Sequence, residues 1–147
     1  MAGEDSTFID TNVLIYAHDR SEAAKQPIAT ALLASLWESG TGVLSTQVLQ
    51  EFYAVATRKL TPPMTPAEAR EIVGLYAAWR VVTIEPPLIL EASELAEAHE
   101  LSFWDALIIA AARLGGADRL VTEDLQAGRM LAGVRIENPF GAAGETG

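Results

Sequence analysis

The 147-residue chain has no cysteine and only two histidines. The first absence excludes a disulfide, a thiolate nucleophile and a cysteine-bound zinc. His18 and His99 stand at no metal-ligand spacing, and both are expected at the surface. Cations are scarce as well: ten Lys and Arg against twenty Asp and Glu leave a net charge of −10. Diffuse attraction to phosphate needs clustered basic residues, and here Arg58-Lys59 is the sole adjacent pair. A nucleic-acid partner would have to be held locally, with bound metal supplying much of the positive charge. Long apolar runs are also missing. The longest, Ala106 to Ala112, is far too short to cross a bilayer. The acidic opening Met1-Ala2-Gly3-Glu4-Asp5 lacks the basic and apolar regions of a signal peptide, so a cytoplasmic protein is expected.

What the chain does have is material for a core. Half its residues are apolar, and its length suits one domain, expected over residues 1–140 with a flexible tail at Gly141 to Gly147. Apolar runs predict short strands at Thr7 to Asp10, Val43 to Ser45, Val81 to Thr83, Leu120 to Thr122 and Val134 to Ile136. Between them, helical spacing predicts helices over Glu22 to Glu38, Thr46 to Lys59, Pro66 to Trp79, Pro87 to Glu100 and Phe103 to Leu114. Thr65 is placed to cap the third of these, with Pro66 at its first position. Strands alternating with helices imply parallel pairing through right-handed crossovers. The expected fold is therefore a three-layer α/β domain of about five parallel strands flanked by helices. Ligands of such sheets sit at the carboxyl ends of the strands, near a switch point.

Four carboxylates fall where a strand hands over to a helix or a helix begins. They are Asp10 in Phe8-Ile9-Asp10-Thr11-Asn12, Glu51 in Leu49-Gln50-Glu51-Phe52, Asp105 in Phe103-Trp104-Asp105-Ala106, and Asp124 in Val121-Thr122-Glu123-Asp124. Apolar neighbours draw each toward a core, where a carboxylate needs a cation or hydrogen bonds. Taken singly, each has an ordinary role. Asp10 suits the N-cap of a helix starting at Thr11, and Ser102 with Asp105 fits a capping box. Thr122 or Asp124 suits a turn. Glu51 is harder to dismiss, because it lies beside the Val48, Phe52 and Val55 stripe of its helix. Four independent caps need not converge on one edge of a sheet. With no cysteine and almost no histidine, such a gathering suits a hard divalent cation bound through oxygen. Phe103 and Trp104 are expected to pack in the core or at the helix entry rather than to stack a base, and Arg58-Lys59 to be a solvated helix end.

These segments together resemble the PIN domain, and specifically the VapC-type toxins of bacterial toxin–antitoxin pairs, over about residues 7 to 138. The resemblance implies a Mg²⁺- or Mn²⁺-dependent ribonuclease with a five-stranded parallel sheet. It matches the family's four acids to Asp10, Glu51, Asp105 and Asp124, its polar residue after the first acid to Asn12, and the hydroxyl before the fourth to Thr122. Adjacent Glu123 leaves the fourth position open. A bound Mg²⁺ keeps part of its water, lowers the pKa of that water and clamps phosphate oxygens, so no serine or histidine nucleophile is needed. The acid cluster favours single-stranded or loop RNA as substrate, because unstacked segments can bend into a narrow acidic cleft. The resemblance further implies a homodimer and a small antitoxin partner with a basic side chain over the acidic pocket. Phe52, Tyr53, Leu75, Tyr76 and Trp79 exceed what one core face needs, which is the sequence-level motive for association. The alternative from another class is a PIN-like protein that binds RNA or a partner without cutting. A haloacid-dehalogenase-like phosphatase would need an Asp where Asn12 stands. A response-regulator receiver would need a Lys at a strand end.

Overall fold

The computed structural model describes residues 5–141. The terminal segments, including residues 142–147 of the expected flexible tail, lie outside the described residues. Gly141 itself donates its N–H to the Asn138 carbonyl at 3.1 Å.

The chain alternates as anticipated. Strand β1 (Thr7–Ile9) leads through Asp10 into helix α1 (Thr11–Ala17), followed by α2 (Lys25–Ser39). Strand β2 (Gly42–Ser45) runs directly into α3 (Thr46–Ala56), and α4 (Pro66–Tyr76) precedes β3 (Arg80–Val82). Helices α5 (Pro86–His99) and α6 (Phe103–Leu114) lead to β4 (Arg119–Val121), β5 (Met130–Leu131) and β6 (Val134–Glu137). The sheet order is β3-β2-β1-β4-β6-β5, parallel throughout except that β5 pairs antiparallel with β6. Hence one sheet of six strands replaces the five expected, with an antiparallel hairpin at its edge. Helix α1 stands beyond the five helices expected, and helix and strand ends elsewhere differ from the sequence reading by a few residues, as fraying ends do.

Strands β1, β2 and β4 are apolar on both faces and fully covered, with Phe8, Ile9, Val43, Leu44, Leu120 and Val121 at 1 % exposure or less. Central parallel strands take this continuous pattern because helices cover both sides. The helices end for local reasons. Thr65 accepts from the Glu68 N–H while the Glu68 carboxylate accepts from the Thr65 N–H, closing a capping box on α4. Gly40 takes φ 72° to close α2, a conformation that costs glycine little. No helix among the described residues is long and apolar enough to cross a membrane.

The winding direction positions the site. From β1 the chain moves through β2 to β3 on one side, whereas β4 lies on the other side of β1 and pairs onward with β6. The switch point therefore falls between β1 and β4. Their carboxyl ends carry Asp10 and Thr122.

Candidate active site

Asp10 follows β1 directly and, as the simpler reading predicted, caps α1: its Oδ1 accepts from the Thr11 N–H at 2.7 Å. Its other oxygen accepts from the Thr122 hydroxyl at 2.7 Å, across the switch point. The carboxyl is only 5 % exposed. Burial pushes its pKa up from 3.8 to about 6, against the pull of those two hydrogen bonds and with a further push from Asp124 and Glu51.

Glu51 reaches the same place from α3, whose start is fixed where the Ser45 hydroxyl accepts from the Val48 N–H. Thr11 donates its hydroxyl to Glu51 Oε1 at 2.6 Å, and Gln47, one turn earlier, donates its amide to Oε2 at 3.2 Å. Asp105 sits in the first turn of α6. The Ser102 hydroxyl accepts from the Asp105 N–H at 3.1 Å, but the carboxylate returns no bond as Glu68 does on α4. The capping box is thus half made, and the Asp105 carboxylate is left to the cleft. Asp124 follows β4 and donates its N–H to the Thr122 hydroxyl at 3.0 Å. Partial desolvation, and then the Asp105 charge, raise its pKa.

All four acids line one cleft of about 490 Å³, together with Thr11, Asn12 and Gln47 and an apolar wall that includes Ile15, Val55 and Ile108. Among the described residues, no Lys or Arg lines it. Among the described residues no three acidic or histidine side chains already stand as a closed cage for a metal. Mg²⁺ needs only one or two carboxylates directly, because it keeps several waters. The donor set is all oxygen, and both polar atoms of the Asn12 amide are enclosed without a hydrogen-bond partner. These residues fit a hard divalent cation.

The two adjacent acids after β4 part company. Glu123 turns to α1 and α2, where it accepts from the Tyr16 hydroxyl at 2.5 Å and forms an ion pair with Lys25. Burial alone would raise its pKa, but Lys25 and Tyr16 outweigh that and lower it. Asp124, not Glu123, lines the cleft.

Three expectations need correction. His18 is not at the surface: half-buried, it packs edge-on against Phe52 at 5.6 Å, and its Nε2 is enclosed without a partner. Phe52 and Tyr76 belong to the core at 0 % and 6 % exposure, so they give no reason for association. Trp104 is not packed at the helix entry but 62 % exposed on the cleft's rim. Thr11 and Gln47 were missed as partners of Glu51, although Gln47 carries a readable signal in its four-residue spacing. A second cleft of about 540 Å³, beside His18, Arg20 and Met64, holds none of the four acids.

Thr122 joins both strand ends. Thr122→Val is expected to lower metal-free stability by about 1–3 kcal/mol, since one buried carboxylate oxygen and one N–H lose their partner. An unchanged urea midpoint would show that the hydroxyl is idle.

Residues 7–130 match the sequence model of the PIN domain. The chain belongs to the PIN domain family. Members of that family are nucleases. Solved structures similar to this PIN domain include the VapC20 toxin of Mycobacterium tuberculosis, a sarcin-ricin loop cleaving toxin. It is 25% identical, with a TM-score of 0.61 over 78% of this chain and 87% of that one. A toxin–antitoxin complex from Klebsiella pneumoniae is 19% identical, with a TM-score of 0.66 over 88% of this chain and 95% of that one. A DNA-bound VapBC from Salmonella typhimurium is 18% identical, with a TM-score of 0.64 over 92% and 99% respectively. The last two speak for the fold alone. No curated protein sequence matches the chain.

Proposed function

We propose that this PIN domain is the toxin of a type II toxin–antitoxin pair, a Mg²⁺- or Mn²⁺-dependent endoribonuclease that cuts single-stranded or loop RNA in the cytoplasm. The observation that carries the reading is the convergence of Asp10, Glu51, Asp105 and Asp124 on one cleft without a lysine or arginine. Asp10 and Asp105 are the direct ligands, and Glu51 and Asp124 complete the set. When bound, the cation supplies positive charge for the phosphate and an activated water. Thr11 and Gln47 hold the two oxygens of Glu51, and Thr122 holds Asp10. Unstacked RNA suits the cleft because it can bend into a narrow opening. Purified protein is expected to cut single-stranded RNA with Mn²⁺ or Mg²⁺ and to stop in EDTA. The non-cleaving alternative predicts binding with no metal-dependent products.

An acidic protein should hold RNA with little help from long-range attraction. Of the cations nearest the motifs, Lys25 is engaged by Glu123 and Arg20 lines the other cleft, which leaves Arg58 and Lys59 exposed. Each phosphate contact contributes about −0.7 to the log–log salt slope for a single strand, and roughly two or three are expected. Affinity measured against KCl in Glu51→Gln tests this. A slope equal to about six contacts or more would reveal a basic surface not foreseen here.

The same reading includes a homodimer and a small antitoxin that places a basic side chain over the acids. Trp37 and Leu75, at 42 % and 53 % exposure, leave apolar surface beside the partly buried Trp79. Light scattering should return twice the chain mass at micromolar concentration, and a monomer throughout would remove the dimer.

A further inference from the structure

We propose that Trp104 is a nucleobase-stacking residue, holding the base of a nucleotide next to the phosphate at the four acids. The inference rests on the ribonuclease reading and adds what grips the RNA. Trp104 and Asp105 are neighbours in the first turn of α6 and line the same cleft. The indole is 62 % exposed, while half-buried Phe103 braces it edge-on at 5.2 Å. A large aromatic side chain gains little from facing water, and its open face can take another ring.

The rest of the cleft matches one kind of occupant. The four acids share its lining with the apolar Ile15, Val55 and Ile108. A nucleotide likewise has two parts, an anionic phosphate and a flat, largely apolar base. With net charge −10 and no Lys or Arg lining the cleft, the few phosphate contacts supply only part of the grip, whereas stacking needs no basic side chain. Gln47 adds an independent sign. It is 5 % exposed and gives its amide nitrogen to Glu51, a carboxylate that can only accept. Its carbonyl oxygen is thereby fixed as an acceptor, and it has no partner. Base amino groups and ribose hydroxyls are donors of the kind it lacks.

The test uses a short single-stranded RNA carrying 2-aminopurine at one position at a time, with Mg²⁺ and the Glu51→Gln variant to suppress cleavage. Fluorescence should be quenched strongly at one position. Trp104→Ala should abolish that quenching and weaken binding by roughly ten- to a hundredfold, and Trp104→Phe should keep most of both. An abasic nucleotide at the quenched position should weaken binding to Glu51→Gln equally and cost the Trp104→Ala protein nothing more. Unchanged affinity and quenching in Trp104→Ala would overturn the proposal. So would unchanged affinity together with a change of oligomeric state, which would make Trp104 a contact between protein chains. Position-specific quenching by a protein that cuts no RNA would uphold the stacking subsite and refute the nuclease reading instead.

Discussion

Exchanging Asp10 or Asp105 for Asn is expected to reduce RNA cleavage by about a thousandfold or more, equivalent to roughly 4 kcal/mol of transition-state stabilisation. Each exchange leaves shape and hydrogen-bonding size nearly intact but removes one negative charge from the set that faces the cleft. A loss this large separates a cation ligand from a residue that merely orients one. Thr122→Val, which disturbs only the support of Asp10, should cost about ten- to a hundredfold. The measurement is initial cleavage rate at saturating Mn²⁺, with circular dichroism to show that each variant is folded. Full activity in Asp10→Asn and Asp105→Asn would remove both from the site.

The second large effect is on stability, and Asp10→Asn should improve it in metal-free protein. Asp10 titrates near 6 when folded, against 3.8 as its ordinary value, so the folded state holds the proton more tightly. The stability from that group is complete below about pH 3.8 and is lost as pH rises through about 6. The difference of about two pKa units corresponds to roughly 3 kcal/mol of stability lost by neutral pH, above both values. Asn carries no charge to desolvate, yet it cannot accept both of the Asp10 hydrogen bonds, so a net gain of about 1–2 kcal/mol is expected. For a domain of this size that is roughly 2–8 °C in melting temperature. Divalent cation should stabilise the native protein, because it binds the folded state selectively and relieves the repulsion. The shift produced by Mn²⁺ should shrink in Asp10→Asn. Melting curves at pH 5 and pH 8, with and without Mn²⁺, test both parts. An unchanged metal response in the variant would contradict a shared site.

The acids were legible because their positions follow from chain direction. An apolar strand that runs into a cap residue ends at one edge of a parallel sheet, so Asp10 and Asp124 were expected at the same edge, and the pairing of β1 with β4 makes them neighbours. Glu51 was legible because a carboxylate beside an apolar helical stripe needs a reason. What escaped depends on contacts between distant segments. Glu123 and Asp124 are indistinguishable as neighbours in sequence, and only Tyr16 and Lys25, from α1 and α2, turn one away. His18 is covered by Phe52 from α3, which no local pattern announces. Phe103 and Trp104 read as one apolar pair, although only the first is covered. The β5–β6 hairpin was hidden in its turn. Ala132 and Gly133 both take positive φ, 52° and 80°, a two-residue turn that favours Asn-Gly or Asp-Gly and is seldom signalled by alanine.

The claim on which everything else depends is that Asp10 and Asp105, which stand ninety-five residues apart (105 − 10), serve one cation. Titrating Mn²⁺ into the protein while following free Mn²⁺ by electron paramagnetic resonance tests it without any RNA. Asp10→Asn and Asp105→Asn should each weaken binding by about tenfold or more, and the double variant should lose little beyond either single one. Native affinity in both single variants would contradict the account.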